Sequence, residues 1–547
     1  MFALLDKEHS IADAGFNRWL VPPAALAVHL CIGMAYGFSV FWLPLSKALG
    51  IGKAIACTGD AGSFWGQAFT TTCDWKISSL SFMYSLFFVF LGSAAAIWGG
   101  WLERAGPRKA GVVATLCWCG GLVVSALGIK THQLWLMWLG SGVLGGIGLG
   151  LGYISPVSTL IKWFPDRRGM ATGMAIMGFG GGALIGSPLA DRLMKAYATP
   201  TSVGVCETFL TLAAIYTVFM LAGSLGYRVP AAGWAPAGFT PPAASANAMI
   251  TNRQVHLNRA WKTPQFWLVW IVLCLNVSAT IGIIGVASPM IQEIFGGHLI
   301  GVDVRFTDLS VDQKKQVATL GAAFAGLFSL FNILGRFFWA SISDRLGRRA
   351  TYTVFFVAGA LLYASMPGSA SRGSVGLFVG AICLIASMYG GGFATVPAYL
   401  ADLFGTQFVG AIHGRLLTAW STAGIIGPVL VTSLRESQQK AGVAGEHVYD
   451  QSMYLIAGLL VAGLIANLLV QPVKAEVAMS ELQLARERAL AHEKATAASP
   501  GRNAGDLAGA AGAASGSGFS VLLAWALVGL PLIWGVTQTV QKIAKIF

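Results

Sequence analysis

The length of the apolar runs in this chain constrains its fold more than any other feature. Twelve stretches, approximately 20–48, 77–100, 110–130, 134–161, 169–192, 206–227, 265–293, 317–340, 350–366, 374–400, 409–434 and 452–471, are each long enough to cross a bilayer as a helix. In hydrocarbon the backbone must satisfy its own hydrogen bonds, which a helix does within one segment. Only 11% of the residues are charged, against about 25% in soluble domains. The chain reads as an all-α integral membrane protein.

The connections between runs predict its orientation. Links 101–109 and 344–349 each carry three Lys or Arg, and Lys162, Arg167 and Arg168 add three more. The turns at 130–133 and 367–373 carry one each. Positive residues favour the cytoplasm, so both ends of the twelve-run body should be cytoplasmic, including an N-terminal segment 1–19. That segment has no apolar core, so the first run should itself direct insertion, into the plasma membrane and specifically a bacterial inner membrane. The net charge of +13 then reflects topology and contact with lipid headgroups, not nucleic-acid binding.

A six-helix half over 20–227 is expected to join a second over 265–471 through a Pro/Ala/Gly-rich, then basic, cytoplasmic linker at 228–264. A polar linker, 472–518, leads to a hydrophobic segment at 519–547 that contains Pro531 and ends at Lys542 and Lys545. A spanning helix would put those lysines outside, against the positive-inside tendency; an interfacial or re-entrant segment would not. Its orientation stays open. The long loop 49–76 holds Cys57 and Cys73, for which a disulfide and two free thiols are the alternatives.

The two halves repeat. A shift of 241 residues places Trp98 on Trp339, Glu103 on Asp344, Arg104 on Arg345, Gly106 on Gly347, Arg108 on Arg349, Pro156 on Pro397 and Gly169 on Gly410. One register through three loops implies parallel repeats around a central path, with substrate held near the midplane. The same shift puts Arg336 on Ala95, so the repeat itself does not require an Arg there. Arg336 lies nine residues before Arg345, roughly 13 Å along a helix. A guanidinium at that depth keeps its proton, and should face a cavity and meet an anion.

The loops WLERAGPRKA and SISDRLGRRA resemble the loop between helices two and three, and its repeat, in the major facilitator superfamily. The resemblance implies two six-helix repeats of that type, with Glu103, Arg104, Gly106, Arg108, Asp344, Arg345, Gly347, Arg348 and Arg349 gating a rocking transporter. A narrower resemblance rests on AYGFSVFWLPL, VSATIGIIGVASPMIQEIF, NILGRFFWASISDRLGRR and HGRLLTAWSTAGIIGP, which are similar to the oxalate/formate antiporter family, related to the monocarboxylate transporters. It implies that Arg336 binds a substrate carboxylate.

The oxalate-transporting member of that family has a Lys in its eleventh helix, where this chain has Trp420. One deep guanidinium suits one carboxylate. The resemblance also implies an aromatic lining from helices one, four and ten, matched here by Tyr36 or Phe38, Tyr153, Tyr389 and Phe393. Asn276 and Asn332, polar within apolar runs, either bind substrate or bond a neighbouring helix. The dense glycines of GGIGLGLG, GFGGG and YGGGF let helices approach and slide; no Walker lysine follows them.

The expected function is secondary active transport of a small organic anion, most simply a monocarboxylate such as pyruvate, lactate or formate. Oxalate/formate exchange, proton-coupled drug efflux and a carrier-like sensor are the alternatives. Drug efflux usually needs a buried acid, yet Asp191, Glu207, Glu293 and Asp402 all fall at predicted run ends. No nucleophile–base set or metal-ligand cluster points to an enzyme, and no cofactor is expected. The expected assembly is a monomer in lipid, with protons or a counter-anion as coupling partner left open.

Overall fold

The computed structural model describes residues 2–13, 15–51, 54–231, 234–239, 248–498 and 518–543. Parts of the 228–264 and 472–518 segments, and Lys545, lie outside the described residues. Among those described, thirteen helices are long and apolar enough to cross a membrane. They are α1 (Arg18–Leu45), α2 (Ile77–Ala105), α3 (Pro107–Lys130), α4 (Leu134–Trp163), α5 (Arg168–Tyr197), α6 (Val205–Gly226), α7 (Pro264–Ile300), α8 (Val311–Leu346), α9 (Arg348–Ser371), α10 (Val375–Phe404), α11 (Val409–Lys440), α12 (Gly445–Leu469) and α13 (Gly518–Gln541).

Several helices outrun the apolar stretches that announce them. Helix α8 starts six residues before the expected 317, at a capping box in which the Ser310 side chain accepts from Gln313 N–H and the Gln313 side chain accepts from Ser310 N–H. That cap lets the polar turn VDQKK join the helix. At the other end, Gly106 and Gly347 sit at φ 89° and 87°, where a side chain is disfavoured, and turn α2 into α3 and α8 into α9. The two turns are repeat partners. The face that carries them is called the motif face below.

The halves meet along two seams, α2 against α11 and α5 against α8. Under the 241-residue shift these seams are equivalent. On the face opposite the motif, Cys57 and Cys73 form a disulfide. Asp74 accepts hydrogen bonds from the backbone N–H groups of Leu49 (2.7 Å), Gly50 (3.0 Å) and Ile55 (2.8 Å), which folds the 49–76 loop into a cap.

Helix α13 packs on α1, α5 and α8. Near its start Trp525 Nε1 donates to the Trp19 carbonyl at 3.2 Å, and near its end Gln538 Oε1 accepts from Arg192 at 2.9 Å. Trp19 opens α1 and Arg192 lies near the close of α5, at opposite faces, so α13 runs the full depth of the bundle instead of lying along one face.

Candidate functional site

On the motif face each half caps a helix of the other. Asp344, at the end of α8, accepts from the N–H groups of Gly169 (2.8 Å) and Met170 (2.9 Å), which open α5. Glu103, at the end of α2, accepts from the N–H of Gly410 (3.1 Å), which opens α11. A carboxylate at a helix start satisfies unpaired N–H groups and meets the positive end of the helix dipole. Arg348 binds both Asp344 (2.7 Å) and Asp402 (3.0 Å), and Asp402 is bound across the seam by Arg168 at 2.9 Å. Glu103 is bound by Lys162 at 2.7 Å.

The remaining loop residues hold the surroundings of these latches. Arg108 is buried and donates to the carbonyls of Leu4, His9 and Tyr227, which ties the N-terminal segment beneath α3. Lys7 donates to the Glu103 carbonyl at 2.7 Å. Burial, and next the nearby Lys162 charge, push its pKa down. Arg349 donates to the Leu468 carbonyl. Arg104 and Arg345 stand exposed, so the structure does not bring them into either latch.

Arg336 lies in the middle of the α5–α8 seam with no exposed surface. Glycines make that possible. A Cβ at Gly180 would stand 3.0 Å from Arg336 Nε, and one at Gly173 would stand 2.9 Å from the Arg336 carbonyl. Arg336 Nε donates to Asn332 Oδ1, one turn back, at 3.0 Å, and Nη1 donates to the Ile176 carbonyl at 3.2 Å. Nη2 has no partner among the described residues. A buried guanidinium held by one amide oxygen and one carbonyl keeps its charge uncompensated, which is costly unless an anion completes it.

Rings close around that charge. The guanidinium carbon stands 5.6 Å from the Phe179 ring centre and 5.5 Å from that of Phe393, within cation–π range. Trp420 packs 4.8 Å from Phe393, 5.3 Å from Tyr153 and 5.4 Å from Phe179. On the side away from the motif, the Tyr36 and Tyr389 hydroxyls meet at 3.2 Å and join the halves. Trp420 Nε1 and the Tyr153 hydroxyl are buried without partners among the described residues, so two more donors are left open at the cage.

The structure therefore gathers Arg336, Tyr36, Tyr153, Tyr389, Phe393, Trp420 and Asn332, with Asn332 orienting the guanidinium. Asn276 is buried on α7 with its Oδ1 unpartnered among the described residues. A Cβ at Gly392, next to Phe393, would come within 2.3 Å of it. Phe38 is not in the cage. The stretch Gly33–Phe41 is a 3-10 helix, and two residues past Tyr36 the side chain faces Phe41, Phe209 and Trp118 inside the first half.

Sequence reasoning missed Phe179, which was hidden in a glycine run read as packing. The repeat carried the signal, because the 241-residue shift places Phe179 on Trp420. It also missed two buried histidines, His29 and His413, whose rings lie 5.3 and 5.9 Å from Tyr153. Arg415 stays outside the cage and donates to the Leu257 carbonyl and to Asn258 in the linker.

Comparison with known proteins agrees with this architecture. The Major Facilitator Superfamily pattern matches residues 25–428. The oxalate:formate antiporter of Oxalobacter formigenes is 24% identical over 412 residues, covering 75% of this chain and 83% of that protein. Apicoplast pyruvate carrier 1 of Toxoplasma gondii is 25% identical over 452 residues, covering 71% and 78%. The solved structure of a Major Facilitator Superfamily transporter, FucP, in the outward conformation superposes with a TM-score of 0.55 at 13% identity, over 84% of this chain and all of that one. That likeness is one of fold, and the matched pattern spans most of the chain, both seams and Arg336. The protein is a multi-pass transporter and not an enzyme: it belongs to the Major Facilitator Superfamily.

Proposed function

We propose that this carrier moves a small monocarboxylate of the pyruvate, lactate or formate type by alternating access, with Arg336 gripping the carboxylate. The observation that carries the reading is the fully buried Arg336, whose Nη2, like Trp420 Nε1 and the Tyr153 hydroxyl in the surrounding rings, has no partner among the described residues. One anion would be held by these three donors, with Phe179 and Phe393 excluding water and Asn332 fixing the guanidinium. The names of two relatives, an oxalate:formate antiporter and a pyruvate carrier, support an anionic substrate. Among the described residues, Glu103, Asp344 and Asp402 are held in the latches and Glu293 by Arg435, away from the cage, whereas drug–proton exchange would call for an acid there.

In this reading the halves 20–227 and 265–471 rock about the two seams, the motif face and the N-terminus are cytoplasmic, and a monomer in a bacterial inner membrane suffices. An empty cavity leaves Arg336 unpaired and costly to occlude, which favours exchange over uniport. A monocarboxylate leaves the closed cavity neutral; a dianion leaves one negative charge, at a cost of several kcal/mol.

Uptake by the purified protein in liposomes tests this. At about pH 8, where histidines are neutral, pyruvate or formate should enter at least about 100-fold faster than oxalate, and Trp420→Lys should narrow the gap. Efficient oxalate entry at that pH by the unmodified protein overturns the reading of a single deep cation.

A further inference from the structure

His29 stands on α1 behind the cage wall, with no exposed surface. Its Nδ1 lies 2.5 Å from the Ala175 carbonyl oxygen and its Nε2 3.2 Å from that of Tyr153. A neutral imidazole has one N–H and one lone pair. Between two carbonyl oxygens it can satisfy only one and turns its lone pair on the other; the imidazolium donates to both. Glycine again makes the room, since a Cβ at Gly178 would stand 3.1 Å from His29 Cβ. The ring lies 5.3 Å from Tyr153 and 6.5 Å from Phe179, so one layer of rings stands between a charge on it and the anion site proposed at Arg336.

The charged and titratable groups facing this ring come from both halves. Arg336 reaches it from α8, Tyr153 from α4 and His413 from α11, the last with both ring nitrogens unpartnered among the described residues. Cys31 and Tyr216 lie toward α6, and α13 brings apolar Trp525 and Val528 to this part of α1. None of these groups is a carboxylate, so among the described residues nothing balances a proton on His29, and an anion at Arg336 would do so.

We propose that His29 is a proton-binding site that sets the charge class of the substrate: protonated, it lets the cavity close on a small dicarboxylate dianion, and neutral, on a monocarboxylate. This rests on Arg336 as the anion site. Arg336 and a monocarboxylate sum to zero; adding the His29 proton leaves a positive charge to occlude. With a dianion the same proton restores neutrality. The proton is taken from water when the cavity is open and returned to water on the other side with the dianion. A proton-loaded dianion and a bare monocarboxylate then exchange without net charge movement.

Oxalate is the probe, because it stays a dianion between about pH 6 and pH 8, across which histidine titrates. In liposomes carrying the full chain, the ratio of oxalate to pyruvate uptake should fall about tenfold per pH unit above the His29 midpoint. His29→Gln, which keeps a buried polar side chain, should flatten that slope whatever it does to the absolute rate. On purified wild-type protein, a pH-indicating dye should register about one proton taken up per oxalate bound and none per pyruvate at about pH 7.5. A ratio independent of pH, an unchanged slope in His29→Gln, or oxalate binding without proton uptake each overturns the assignment. Binding of pyruvate with a flat ratio removes His29 alone, whereas binding of neither anion removes Arg336 as the anion site and His29 with it.

Discussion

The α2–α11 seam and the α5–α8 seam descend from one repeat, and among the described residues the second carries a guanidinium at its middle, Arg336, where the first has Ala95. In the α2–α11 seam, small residues bring backbones together: a Cβ at Gly414 would stand 2.3 Å from the Ala95 carbonyl, and one at Gly92 would stand 2.0 Å from Ser421 Oγ. Shifted by 241 residues, Ala95 becomes Arg336, Gly414 corresponds to Gly173 and Ser421 to Gly180. The missing side chains that seal one seam make room in the other for a guanidinium. The same device of close helix approach serves packing on one side and ligand recognition on the other.

The latches differ in the same direction. Glu103 caps one N–H of α11 and is bound by Lys162. Asp344 caps two N–H groups of α5 and shares Arg348 with Asp402, which is itself bound across the seam by Arg168. More polar contacts must therefore break to open the seam that contains Arg336.

Three pairs of substitutions probe this asymmetry. The largest effect is expected at its centre. Arg336→Ala and Arg336→Lys should each lower uptake by at least about 100-fold while the protein inserts normally, because Lys keeps the charge but lacks the rigid fork that bonds Asn332 and Ile176 while presenting Nη2 to the anion. Substantial uptake by both variants would leave the two seams functionally alike.

Next come the glycines. At Gly414 a methyl group would meet backbone at 2.3 Å, and at Gly173 at 2.9 Å, so the α2–α11 seam has less slack. Gly414→Ala should cost the closed state about 1–3 kcal/mol, and Gly173→Ala less. Labelling of the cysteine in a Tyr36→Cys background reports how often the cage opens. Faster labelling in Gly173→Ala than in Gly414→Ala reverses the comparison.

The smallest effects belong to the latches. Asp344→Asn should slow turnover about tenfold and Glu103→Gln about threefold, since each weakens a charge at a helix start and the first also loosens Arg348. Affinity should stay within about twofold for both, as neither acid is in the cage. Binding measured beside turnover decides the point: a large loss of affinity at unchanged turnover would move Asp344 from gating to binding.

Much of this protein is legible one segment at a time. Run length and charge bias announce the helices, because the cost of polar groups in hydrocarbon acts locally. The 241-residue register pairs Glu103 with Asp344 before any coordinates exist, and Arg336 stands out because so deep a guanidinium needs a purpose. Helix ends were harder to place, as at Ser310, where a cap carries polar residues into α8.

What the sequence determined by itself is therefore the set of spanning segments, their repeat and the one deep cation, all of which follow from composition along the chain. Tertiary structure alone decided which side chains meet that cation. Phe179 faces Arg336 and Phe38 does not, His29 sits between two carbonyls, and α13 crosses beside the α5–α8 seam. Each of these depends on how a helix is rotated about its axis and on which distant helix packs against it. An apolar run in an apolar solvent carries little pattern to set that rotation, so it is settled only when small residues and buried hydrogen bonds lock the helices together.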